Sequence, residues 1–68
     1  MSVARVTEIS ATSPKSFDDA VRVGVARASK TLRGIQGAWV KEQHVSVENG
    51  EVTSFRVNIM VTFLLDDS

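Results

Sequence analysis

The clearest pattern in the chain lies in its last third, where Phe55, Val57, Ile59, Val61, Phe63 and Leu65 occupy every second position. Strand side chains alternate between faces with a period of two, so this run predicts one long strand with an apolar face. Just upstream, "VENGEV" holds Asn49-Gly50. A tight two-residue hairpin turn needs positive φ at both central positions, which Asn and Gly tolerate best. The segment from Gly37 to Glu48 is therefore the partner strand. A turn of that length fixes the register. Glu48 opposes Glu51, Val47 opposes Val52, and counting outward puts Val40 opposite Ile59 and Ala38 opposite Val61 on the apolar face. The same count sets Glu42 opposite Val57 and His44 opposite Phe55 on that face, beyond the edge of any covering helix or against another subunit. The second face receives Trp39 opposite Met60, Lys41 opposite Asn58 and Gln43 opposite Arg56.

A different period governs "SFDDAVRVGVARASKTLR". At 3.6 residues per turn, Phe17, Ala20, Val21, Gly24, Val25, Ala28 and Leu32 fall on one face, with Asp18, Arg22 and Ser29 opposite. Two starts are open: Ser13 capping with Pro14 at the first helical position, or Ser16 capping with Asp19 closing a capping box. Asp18 and Asp19 in the first turn and Lys30 and Arg33 in the last follow the order the helix dipole favours, and Gly34 is a natural stop. Ala20, Gly24 and Ala28 form a strip of small residues that lets the helix lie close to a sheet. Glycine costs a helix about 1 kcal/mol against alanine, and close approach is the reason to carry it here. "SVARVTEISATS" reads as a first strand, with Ala4, Val6 and Glu8 on one side and Val3, Arg5, Thr7 and Ile9 on the other. Apolar groups on both sides point to a strand covered on both sides.

The predicted class is α+β, in the order β-α-β-β, as a single domain over residues 1–68. One helix covers only part of one face of three strands. Trp39, Met60, Leu64 and Val45 then form an uncovered patch, which a soluble monomer rarely leaves open. A tight homo-oligomer is expected. Composition strengthens that expectation, because a chain of 68 residues buries a small core and usually needs staples. Cysteine is absent and His44 is the single histidine, so neither disulfides nor Cys/His metal clusters are available. Association of copies is the staple that remains.

Eight basic residues balance eight acidic ones, against a general nucleic-acid or membrane-surface binder. No apolar run reaches membrane-spanning length, and Met1 to Ile9 alternates polar and apolar residues without a signal-peptide core, so a cytoplasmic protein is expected. An enzyme is not expected. There is no cysteine nucleophile and no Ser-His-Asp spacing, and His44 has only Glu42 pointing the same way. Gly24, Gly34, Gly37 and Gly50 form no phosphate-binding loop. The one indole, Trp39, either packs between subunits, the commoner use, or stacks on a flat ligand. Glu8, Glu42, Asp66 and Asp67 are candidate oxygen ligands if symmetry gathers them from several copies, although no EF-hand-like spacing is present and terminal aspartates are usually just solvated.

Order, spacing and total length together resemble the dodecin family. The resemblance is carried by the opening strand running into "ATSPKSFDDAV", the helix with "ARASKTLR", the "VKEQ" segment and the closing "FRVNIMVTFLLDDS". It implies a three-stranded antiparallel sheet wrapped around one helix, with twelve copies forming a hollow homododecamer of cubic symmetry. It also implies a ligand. Many dodecins bind FMN or riboflavin in pairs around a two-fold axis. A tryptophan near the start of the second strand stacks on the isoalloxazine ring, and a glutamine on the third strand bonds its polar edge. By this resemblance the stacking position falls on Gly37, with Trp39 two residues later, about 6–7 Å along the same face. The glutamine position falls on Arg56, which donates hydrogen bonds but cannot accept them, and a usually basic position falls on His44. Gly37, Trp39, His44 and Arg56 are the candidate cofactor-binding residues. The three departures move the chain toward dodecins without the stacking tryptophan, some of which contain calcium. A flavin-free structural or divalent-cation-binding assembly is therefore the alternative. Coenzyme A contacts in the family imply anion contacts for Arg27, Lys30 and Arg33, whose plainer reading is a solvated helix end.

Overall fold

A computed structural model of the chain describes residues 3–65. The elements are β1 (Ala4–Ser13), α1 (Phe17–Ala28), β2 (Ile35–Glu48) and β3 (Glu51–Leu64). The strands form one antiparallel sheet in the order β1-β3-β2, with α1 packed on one face. The expected β-α-β-β order is the observed one.

The helix begins where Ser16 caps it. Ser16 is extended, at φ −171 and ψ 167, and its Oγ accepts from the Asp19 N–H at 2.9 Å. The other candidate cap, Ser13, is buried and does something else: it donates to Asp19 Oδ2 at 2.6 Å and accepts from the Lys15 N–H at 2.9 Å. The Asp19 carboxylate is thus held by the end of β1, tying the strand to the first helical turn. Ser16→Ala removes the partner of one helix-end N–H and is expected to cost about 0.5–2 kcal/mol. The check is a lower urea midpoint at unchanged slope.

The helix ends at Ala28, short of the expected Arg33. Ser29 Oγ bonds back to the Val25 carbonyl, and the Lys30 and Thr31 N–H groups close three-residue turns onto Arg27 and Ala28. Short hydroxyl side chains compete with the helical ladder in this way. Gly34 is not the helix stop. At φ +71, and accepting from the Leu64 N–H at 3.0 Å, it turns the chain into β2.

Ala20, Val57, Ile59 and Val61 form the core cluster, with Ile9, Ala11, Phe17, Val21 and Ile35 packed against it. Gly24 is buried, and the reason for glycine is visible. A Cβ there would lie 2.9 Å from Ala11 Cβ and 3.2 Å from Ile59 Cδ1. At the start of α1, Phe17 meets Phe55 edge-on, with ring centres 5.2 Å apart. A helix of 12 residues is about 18 Å long, whereas the molecule extends 53 Å. The end of the hairpin therefore runs on uncovered. Along β2, only Ile35 is partly covered.

The turn has the expected chemistry, with Asn49 at φ 53 and Gly50 at φ 78. Glu48–Glu51 and Val47–Val52 pair as expected, and so do Val40–Ile59, Trp39–Met60 and Ala38–Val61. Between these ends the register differs. Thr53 is an extra residue in β3 and Lys41 an extra residue in β2, so these two offsets cancel; a third shift, at Gln36, sets Ile35 opposite Phe63. Each bulge inserts one unpaired residue, and a one-residue slip exchanges faces. Glu42 therefore opposes Asn58 and His44 opposes Arg56, away from the helix, not Val57 and Phe55 on the apolar face. Gln43 opposes Val57 and Val45 opposes Phe55 on the helix side, so Val45 leaves the expected patch around Trp39. β1 is covered on one side only, through Ile9 and Ala11, while Val6 on its other side is exposed.

Candidate functional site on the bare face of the sheet

The face away from α1 is organised as ranks crossing three strands. Val6, Thr62 and Gly37 form the first, and Glu8, Met60 and Trp39 the second. Ser10, Asn58 and Glu42 follow, and Thr12, Arg56 and His44 complete the set. Gly37, Trp39, His44 and Arg56, singled out in the sequence, all stand on this one face. The bulge at Lys41 brings His44 onto it, which the simple register had not done.

Trp39 is 52% exposed, and Met60 beside it is half-buried. A Cβ on Gly37 would meet nothing within 4 Å, so the strand leaves open space next to the indole. The Lys41 amine reaches across β3 to Glu8 Oε1 at 3.4 Å. Asn58 Nδ2 donates to Glu42 Oε1 at 2.8 Å, and His44 Nε2 lies 3.9 Å from the same oxygen. These contacts are solvated and contribute little to stability; their effect is to order the polar side chains. The sequence singles out Glu42 as a candidate oxygen ligand and as a neighbour of His44 but misses Asn58, because the simple register pairs Asn58 with Lys41 and Glu42 with Val57. With its amide nitrogen turned to Glu42, Asn58 offers an amide oxygen as acceptor beside the guanidinium donor of Arg56.

The ranks of Trp39 and of Arg56–His44 are four β3 positions apart, about 13 Å. A flat molecule stacked on the indole thus spans most of the face before meeting Arg56 of the same copy. Among the described residues no group of three or more His, Cys, Asp or Glu side chains is placed to hold a metal ion. Glu8 and Glu42 are each engaged by a neighbour, and Asp66 and Asp67 lie outside the described residues. No described helix is long and apolar enough to cross a membrane.

One helix on one face of a β1-β3-β2 sheet, with an indole-bearing face left bare, defines a small α+β module with one covered and one open side. The family model for Dodecin matches residues 3–66, and the chain belongs to the dodecin family. It is 35% identical over 63 residues to the protein called calcium dodecin from Mycobacterium tuberculosis, covering 93% of this chain and 89% of that one. The structure of dodecin from Streptomyces coelicolor matches with a TM-score of 0.92 and 39% identity, over 98% of this chain and 96% of that one. The Mycobacterium tuberculosis calcium dodecin crystal structure, described as a calcium-chelating antigen with a novel calcium-binding site, matches with a TM-score of 0.81 and 34% identity, over 98% and 96%.

Proposed function

We propose that this chain assembles as a closed homododecameric shell that holds a small planar ligand between copies on the bare face of the sheet, flavin (FMN or riboflavin) being the ligand class. One observation carries the reading: Gly37, Trp39, His44 and Arg56 share a single uncovered face, with the indole half exposed beside open space. Stacking on Trp39 adds about 0.5–1.5 kcal/mol beyond area burial. Arg56 and His44 supply donors at the far rank, and Asn58 supplies an acceptor that Arg56 cannot. Because the two ranks lie so far apart on one copy, a second copy facing the first brings its own donors toward the ligand. The role is binding or storage, since these groups offer stacking and hydrogen bonds but no nucleophile paired with a base.

Trp39 is the only tryptophan, so indole emission reports on the site directly. Adding riboflavin or FMN is expected to give saturable quenching at micromolar concentration. Trp39→Ala should weaken that binding at least about tenfold, the equivalent of 1.4 kcal/mol. No saturable quenching by an intact assembly removes the flavin reading and leaves the shell.

The relative called calcium dodecin favours a second reading, a flavin-free assembly that binds a divalent cation. Glu8 and Glu42 would then contribute one carboxylate each from several copies, as hard cations require several oxygens. Against it stands the backbone, which follows the Streptomyces coelicolor dodecin more closely than the calcium dodecin at similar identity. Native mass spectrometry with and without a chelator separates the two. Loss of whole calcium ions supports the cation reading, and an unchanged, metal-free mass excludes it.

A further inference from the structure

We propose that Glu8 and Lys41 of one copy together read the polar edge of the molecule stacked on that copy's Trp39, selecting an uncharged planar heterocycle whose edge presents an N–H beside a carbonyl oxygen. The inference rests on the reading of the bare face as a flavin site and names the residues that set its specificity.

The indole shares its rank with Met60 and Glu8, so that β2, β3 and β1 each contribute one side chain. Glu8 is the charged member of that rank. Strands in a sheet stand about 4.8 Å apart, which separates the backbone positions of Trp39 and Glu8 by about 9.6 Å. A fused three-ring molecule lying on the indole and over Met60 covers that span and brings its far edge to Glu8. Arg56 is farther off, about 13 Å along the strands. Lys41 closes the same end as Glu8. It is the extra residue of β2 between Val40 and Glu42, and its amine reaches Glu8 Oε1 at 3.4 Å. Its apolar stem therefore crosses over β3, and the charged head emerges beside β1.

The two groups are opposite in hydrogen-bonding sense. A carboxylate only accepts and an ammonium only donates. Side by side they form an acceptor–donor pair, and an imide edge is its complement: the N–H donates to Glu8, and a flanking carbonyl oxygen accepts from Lys41. Arg56 alone offers no acceptor for that N–H. Neither Glu8 nor Lys41 is used up by the other, because their contact engages one carboxylate oxygen of two and one ammonium donor of three. The side chains are 53% exposed for Lys41 and 43% for Glu8, so an incoming edge reaches both. Their charges cancel, and the pair suits a neutral edge where Arg56 and His44 suit an anion. A ligand that covers the pair also excludes water, and hydrogen bonds are stronger in the lower dielectric.

The test compares riboflavin with 3-methylriboflavin, which keeps the ring system and both carbonyls but has no imide N–H. Quenching of Trp39, the one indole, reports the binding of each. The unaltered assembly is expected to bind riboflavin at least about tenfold more tightly, because a site built to bond an N–H rejects the analogue that lacks it. Glu8→Ala should abolish this preference. Glu8→Gln retains an acceptor oxygen and should retain part of it. Lys41→Met keeps the stem and removes the donor, so both ligands should weaken while the preference stays. Both positions are solvated, so folding is not at stake, and native mass checks that the shell is intact. Equal affinities for the unaltered chain would overturn the proposal, as would a full preference in Glu8→Ala or undiminished riboflavin binding in Lys41→Met. No riboflavin binding by the intact, unaltered assembly overturns the flavin reading as well, so the two failures are told apart.

Discussion

Ile59→Ala is expected to cost about 2–5 kcal/mol and to leave no folded monomer. Ile59 is fully buried at the middle of the central strand. It pairs with Ile9 on one side and Val40 on the other, and its Cδ1 reaches the helix at Gly24. Removing its methyl groups opens a void where both strands and the helix meet. The cost is large relative to what is available, because a core in a domain of this size rarely supplies more than about 3–5 kcal/mol. Among the described residues, the fully or nearly fully buried apolar side chains are Ala20, Ala28, Val57, Ile59 and Val61. Far-ultraviolet circular dichroism of the variant should show loss of structure at concentrations where the parent chain is folded. Raising the concentration should recover part of it, because association stabilises by mass action. A folded variant destabilised by less than about 0.5 kcal/mol would contradict this placement of the core, since even Ile→Val typically costs 0.5–1.5.

Gly24→Leu is expected to cost at least about 1–3 kcal/mol by overpacking. The nearest obstacle is Ala11 Cβ, 2.9 Å from where even a methyl would stand, and it is a stub with no rotamer to yield. Ile59 Cδ1, at 3.2 Å, can give slightly, but only into neighbours that are themselves buried. The helix must lift from the sheet, exposing Val57, Ile59 and Val61 together. Gly24→Ala sets two terms against each other. It gains up to about 1 kcal/mol of helix propensity and meets the Ala11 contact. Adding Ala11→Gly should relieve that contact, so the pair is expected to be less destabilised than Gly24→Ala alone. Urea midpoints of the single and paired variants check this directly, and a Gly24→Leu chain as stable as its parent would refute the close helix–sheet approach.

Much of the fold was legible because its signals are local. Alternation from Phe55 to Leu65, Asn49-Gly50 at the turn and the small-residue strip of α1 each follow from geometry that one segment carries in itself. The pairs near the turn and those around Trp39 were legible for the same reason. The middle of the hairpin was not. Neither Lys41 nor Thr53 is a glycine or proline, and nothing in the local sequence distinguishes an extra strand residue from a paired one. His44 and Glu42 consequently changed sides. The end of α1 was hidden by Ser29 and Thr31, which fit a continuing helix by pattern but bond back to its carbonyls. The site was partly legible: Trp39 belongs to the bare face under either register. The Asn58–Glu42 contact depends on a bulge and only the structure reveals it.

The cancelling bulges also bear on how this scaffold acquires new chemistry. Between Lys41 and Thr53 the hairpin works like a reversible cassette. Within that window the β2 residues face the side opposite to the one an unbroken register gives, while Ala38, Trp39 and Val40 keep theirs. Moving one bulge along the strand would transfer a different set of side chains to the bare face. The core pairs of Val40 and Ala38 would be untouched. Which side chains stand on the bare face thus depends on where two unpaired residues fall as well as on which residues the strands carry.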